Sequence, residues 1–158
     1  QGIGYLMNPG CSLSSSRNAD RLSKEFDYIY AAVGSHPDAA DEVNEEVLEE
    51  YRKLCKQNPK IRAIGEIGLD YHYEDIPRDL QQKAFRAQMA LAAELELQDV
   101  VVADSAETLA CADLLSALHA DILQITVYGD IESVAHHDYH LAGIAEYTAH
   151  LTIEYGAG

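Results

Sequence analysis

The sequence predicts an α/β fold built on a parallel sheet, and three observations carry that expectation. Apolar runs of strand length alternate with segments of about 10 to 15 residues whose apolar positions recur at helical spacing, giving roughly six βα units with right-handed crossovers. Breakers fall between these runs, at Pro9-Gly10, Asn58-Pro59 and Gly129-Asp130. A chain of 158 residues with 47% hydrophobic content is also long enough for a core of its own. No repeat, low-complexity tract or linker divides it, so residues 1–158 are expected to form a single domain.

Taken in order, residues 3–8 read as the first strand, ended by Pro9-Gly10. Ser12 to Ser16 offer N-caps for a helix reaching about residue 26. Residues 28–34 make the second strand, and His36-Pro37-Asp38 a loop. An acidic helix over 41–57 carries Val43, Val47, Leu48, Tyr51 and Leu54 on one side. The third strand spans 61–70 and is followed by a loop over 71–76. Pro77 suits the first turn of a helix that runs to about residue 95. Beyond it, strands are expected at 100–102 and 122–128, helices at 106–118 and just after 130, and strand character at 141–147 and 151–155.

The third strand holds the most informative stretch, GEIGLDY at 65–71, because an ionisable Glu66 sits inside an apolar, glycine-punctuated run. Strict alternation sends Ile64, Glu66, Gly68 and Asp70 to one face, and Ile61, Ala63, Gly65, Ile67 and Leu69 to the other. Both carboxylates then share a face, with Gly68 leaving room between them. A carboxylate so placed serves a metal ion or acid/base chemistry, or else it is a strand-end Glu paired with an arginine. Left buried and unpaired, it would have its pKa pushed upward.

Composition limits the partners. The formal charge is −16, and every Lys and Arg lies at or before Arg86. That excludes a broad basic groove for nucleic acid, because sequence-independent affinity comes from cations neutralising phosphates. If the acidic groups crowd together, their repulsion is expected to raise several carboxylate pKa values, so that mild acidification stabilises the fold. Cys11, Cys55 and Cys111 fall in no metal-ligand pattern and read as structural thiols in a reducing compartment. With no long apolar run and no basic-then-apolar leader, the expectation is a cytoplasmic protein that does not enter a membrane.

The run AIGEIGLDYHYEDIPRDLQQKAFRAQMALAAEL at 63–95, with YAAVGSHPDAA at 30–40 and LSSSR at 13–17, resembles the central signature of the TatD-type metal-dependent hydrolases. The resemblance covers residues 1–97 or so and implies an incomplete or remodelled TIM-type (β/α) barrel. It also implies a divalent metal (Mg, Mn or Zn), a phosphodiester substrate such as DNA, and a deoxyribonuclease-like reaction in which a metal activates water. Glu66 matches that family's glutamate ligand. Other ligand positions are altered: VVVADSAETL at 100–109 puts Val102 or Ala103 where a histidine is expected, and QITVYG at 124–129 puts Ile125 at another. Impaired chemistry follows, and the resemblance leaves open whether any ion is bound or whether the chain is a non-catalytic barrel fragment or engineered scaffold.

The candidate site residues are therefore Glu66 for metal, and His36 and Asp70 for catalysis, with Asp104 as a further donor. His36 follows the second strand and would stand at the carboxyl end of a barrel, where active sites collect. Its plainer role is to fix the turn before Pro37. The HHDYH run puts His136 and His140 one helical turn apart, which is as readily a surface cluster as an ion site. Tyr71 and Tyr73 could line a cleft, and Arg78, Gln81 and Phe85 read as helix packing and surface charge. Because a partial barrel exposes unpaired strand edges, self-association into a homo-oligomer is expected.

Overall fold

The structure is a computed structural model that describes residues 4–72, 75–104, 122–128 and 152–153. Six strands, β1 (Leu6–Pro9), β2 (Ile29–Val33), β3 (Ile61–Leu69), β4 (Gln98–Asp104), β5 (Ile122–Tyr128) and β6 (Thr152–Ile153), form one sheet. Every pairing is parallel, and each strand lies beside its predecessor in the chain. That unbroken order is the wall of a (β/α) barrel; a doubly wound sheet would reverse direction at a switch point. The expected α/β barrel-type architecture is what the chain adopts.

Helices α1 (Leu13–Glu25), α2 (Glu45–Gln57) and α3 (Arg78–Leu95) lie in the first three connections. Ser12 caps α1, accepting from the Ser15 N–H while the Ser15 hydroxyl answers the Ser12 N–H. The acidic helix expected over 41–57 is two pieces, a 3-10 helix at Pro37–Glu42 and then α2. Asn44 makes the division, since its side chain accepts from the N–H groups of Glu46 and Val47 and so starts a new helix. Pro77 is the N-cap of α3, one place before the expected first-turn position. The short strand expected at 100–102 extends to Gln98–Asp104, because the polar Gln98 and Asp99 pair their backbones with Ala63 and Ile64.

The main core lies between β2 and β3 on one side and the three helices on the other. Val33, Ile61, Ile64, Ile67 and Leu69 meet Tyr51, Leu54, Phe85 and Met89 there. Ala32 and Ala63 form a separate small cluster. As Ala32 alternates with Ala31 and Val33, that pair belongs to the opposite face of the sheet. Charged ties join neighbouring helices: Arg17 to Glu50 between α1 and α2 at 3.0 Å, and Arg52 to both Glu94 carboxylate oxygens at 2.8 Å between α2 and α3. Among the described residues no helix is long and apolar enough to cross a membrane.

Strict alternation along β3 fails at two places. Ala31 and Ala32 pair with Ile61 and Ala63, leaving Arg62 as an extra residue, and Gly65 and Ile67 pair with Val100 and Val101, leaving Glu66 as another. Each extra residue resets the pleat. Ile61, Ile64, Ile67 and Leu69 thereby all reach the helix-side core, whereas alternation had put Ile64 on the other face and grouped Ile61 with Ala63.

Candidate functional site at the strand ends

The carboxyl ends of β1 and β2 meet the middle of β3 closely because glycines stand where they come together. A Cβ on Gly34 would lie 2.9 Å from the backbone carbon of Gly65, and one on Gly10 would lie 2.3 Å from Ser16 Oγ. The Ser16 hydroxyl accepts from the Gly34 N–H at 3.0 Å and donates to its carbonyl at 3.1 Å. Across this junction the Glu66 N–H donates to the Gly10 carbonyl at 2.6 Å. Glu66 is thus a bulge residue whose backbone bonds to the segment after β1, and this turns it out of the ladder that Ile67 rejoins.

The Glu66 side chain is half-buried. Loss of solvent raises its carboxyl pKa above 4.5, the nearby His36 pulls it back, and the Asp38 carboxylate pushes it up again. The neighbour that favours the ionised form is His36, and the arginine ion pairs among the described residues go to Glu25, Glu49, Glu50 and Glu94 instead. A desolvated carboxyl beside a histidine, at the carboxyl end of a parallel sheet, has the environment of a functional group.

His36 directly follows the junction. Its N–H donates to the Cys11 carbonyl at 3.0 Å, and its Nδ1 faces the Asp38 carboxylate. The residue therefore both starts the 3-10 helix and stands near Glu66. Below it, the Ser35 hydroxyl donates to Glu42 Oε1 at 2.7 Å and receives the Tyr51 hydroxyl, also at 2.7 Å. Glu42 Oε1 further accepts the Leu13 N–H at 2.7 Å. Burial pushes the Tyr51 phenol up to about 12, so it remains a donor throughout the working range.

Asp70 lies one residue past β3, and its Oδ1 accepts the His72 N–H at 2.9 Å. That bond fixes the turn into the following loop, a local role beside the catalytic one expected. Tyr71 is held by its neighbours, with the Arg78 guanidinium 4.6 Å from the ring centroid and Gln82 Nε2 donating to its hydroxyl at 3.0 Å. Gln81, expected to serve helix packing and surface charge, is buried, and it is also bonded to the Asp70 backbone. Register sets Val102 beside Gly68 and Ala103 beside Leu69, with Thr126 beside Val102. Tyr73, Cys111, the HHDYH run and the helices expected at 106–118 and after 130 lie outside the described residues, as do 141–147.

Sequence reasoning took Ser16 only as a candidate cap, and passed over Ser35 and Gln88. The signal available for the last was its spacing, seven residues after Gln81 with Phe85 between them, which sets two amides on an otherwise apolar stripe. Among the described residues no group of three or more His, Cys, Asp or Glu could hold a metal ion. Glu66 with His36 is a partial donor set, and by itself it does not fit a resident divalent centre, which needs several convergent donors.

A sequentially ordered parallel wall with a desolvated carboxylate at its carboxyl end defines a barrel-type α/β protein with a strand-end site. The profile of TatD related DNase matches residues 1–140, and the chain belongs to that family. It is 43% identical over 83 residues to the uncharacterized metal-dependent hydrolase YabD of Bacillus subtilis, covering 52% of this chain and 32% of that protein. It is 37% identical over 97 residues to the 3'-5' ssDNA/RNA exonuclease TatD of a Rahnella species, covering 61% of this chain and 36% of that one. The matched stretch thus spans about a third of these relatives. Among solved structures, the TatD homolog YjjV of Escherichia coli K12 matches with a TM-score of 0.73 at 23% identity, covering 85% of this chain and 52% of that one. A hydrolase TatD family protein of Entamoeba histolytica matches at 0.72 and 21%, covering 85% and 48%. These two likenesses establish the shared fold.

Proposed function

We propose that this chain carries part of the strand-end site of a metal-dependent hydrolase acting on nucleic-acid phosphodiesters. Glu66 is its ion-binding carboxylate, and His36 and Asp70 are the polar groups beside it. The observation that carries this reading is the Glu66 carboxyl itself, held half-buried at a bulge with its pKa raised by lost solvent. A fold gains nothing in stability from such a group, so its value lies in binding or chemistry. The names of the relatives supply the substrate class, and an oxygen donor of this kind suits Mg²⁺ or Mn²⁺ better than a softer ion.

The donor set is partial, and cleavage by this chain alone is expected to be correspondingly poor. Two-ion hydrolysis needs ions held about 3.5 to 4 Å apart by ligands from several strands. The −16 charge adds repulsion of a polyanionic strand. A fluorescent single-stranded DNA assay with Mg²⁺ or Mn²⁺ should give no hydrolysis above background. Clear cleavage that disappears in Glu66→Gln would mean that a full donor set is assembled here.

Self-association and a cytoplasmic location belong to the same proposal. Among the described residues β1 is an edge of the sheet, and Tyr5, Leu6, Phe26 and Tyr28 are exposed on or beside it, a surface suited to a second copy. Cys11 and Cys55 are free thiols, as a reducing compartment would keep them. Light scattering should give a mass above that of one chain at high concentration; a strictly monomeric mass across a wide range contradicts the association.

A further inference from the structure

We propose that Gln81 and Gln88 are positioning residues that hold the two strand-end loops bearing Asp70 and His36, with α3 as the rigid spacer between them. Both side chains are almost wholly buried, at 2% and 1% exposure. They stand seven residues apart, two turns along the same face of α3 and about 10 Å along its axis.

The two are bonded alike, with one further bond at Gln81. Ser35 N–H donates to Gln88 Oε1 at 2.7 Å, and Gln88 Nε2 donates to the Ser35 carbonyl at 3.0 Å. Asp70 N–H donates to Gln81 Oε1 at 2.9 Å, and Gln81 Nε2 donates to the Asp70 carbonyl at 2.7 Å and to that of Ile76 at 3.2 Å. Each carboxamide therefore brackets the backbone of one residue, offering the donor and the acceptor that a neighbouring strand would offer. Ser35 and Asp70 lie just past the last residues of β2 and β3, Val33 and Leu69, where the ladder stops. Buried backbone groups still need partners there.

Packing alone does not explain these amides. A Leu or Met would fill the same stripe without the cost of burying a carboxamide, whereas a carboxamide presents both a donor and an acceptor in one planar fork at every pH. What the two forks hold in common is position. His36 is the next residue after Ser35, and Asp70 is itself the second candidate catalytic group, so one helix sets where both stand around Glu66. This inference rests on the reading of His36 and Asp70 as site residues, although the clamps themselves can be tested without any activity.

The test is amide exchange and side-chain resonances by NMR in Gln88→Met and Gln81→Met. Gln88→Met should speed exchange at the Ser35 amide roughly ten- to hundredfold and shift the His36 ring signals, leaving the Asp70 amide and His72 as in the parent. Gln81→Met should do the reverse. A structural defect common to both would disturb the two loops together, and that outcome, or no local change in either variant, overturns the proposal. If the Met variants do not fold, Gln88→Glu and Gln81→Glu carry the same test. A protonated carboxyl restores donor and acceptor, so protection local to each loop should return as pH falls; its failure to return counts against the clamp. Should the clamps behave as expected while added Mn²⁺ leaves the His36 and Asp70 resonances of the parent unbroadened, the positioning stands and the assignment of His36 and Asp70 to the site falls.

Discussion

Gly10→Ala and Gly34→Ala are expected to destabilise the chain by about 1–3 kcal/mol each, and more where the backbone cannot yield. At Gly34 the new methyl would lie 2.9 Å from the Gly65 carbonyl carbon and 3.0 Å from its Cα and nitrogen, so only the backbone of β3 can move aside. At Gly10 it would lie 2.3 Å from Ser16 Oγ and 2.7 Å from Ser16 Cα, displacing the hydroxyl that brackets Gly34. Both substitutions strike the place where the Glu66 N–H reaches the Gly10 carbonyl. Denaturant unfolding should show a lower midpoint at unchanged slope, with both variants losing more than an alanine placed at the open Gly4, which has nothing within 4 Å. Equal midpoints for all three would mean that the strand ends are not tightly joined.

Phe85→Ala should be the costliest single truncation, about 3–5 kcal/mol. Phe85 is 1% exposed and packs α3 against the β3 face of the core with Met89, Ile64 and Ile67. It lies four residues after Gln81 and three before Gln88, so all three occupy one stripe of the helix. Loss of the ring would leave a cavity beneath both amides and loosen the helix that brackets Ser35 and Asp70. Phe85→Leu, which keeps most of the volume, should cost less than half as much. A Phe85→Ala variant within 1 kcal/mol of the parent, on the order of a surface substitution, would show that α3 is held chiefly by other contacts.

Much of this arrangement could be read from the chain, and the parts that could not share a cause. The alternation of strands and helices and the family-like GEIGLDY run led to the parallel barrel wall, because both are local patterns. Glu66 was legible as a costly carboxylate for the same reason, since one ionisable residue in an apolar run is visible without a partner. The bulges at Arg62 and Glu66 were not legible. They depend on pairing with β2, β4 and the segment after β1, so alternation counted within β3 put Ile64 on the wrong face. Gln81 was read only as part of helix packing and surface charge, because the strand-end backbone it bonds is not visible from the helix alone. Asn44, by contrast, carried a cap signature that a close reading of the acidic segment could have used to divide it.

The central claim is that Glu66 is kept in a desolvated site at the expense of the fold, and stability against pH for Glu66→Gln tests it most directly. A carboxyl whose folded pKa is raised binds more protons folded than unfolded between the two values, so the parent gains stability as pH falls through the raised value towards 4.5. Glutamine mimics the neutral acid at every pH. The difference between variant and parent isolates this residue from the other carboxylates. Glu66→Gln should unfold at a higher temperature than the parent near neutral pH, with the gap closing on acidification and gone below 4.5. A variant less stable than the parent at pH 7 would mean that the ionised carboxylate supports the fold, and Glu66 would then be a structural residue.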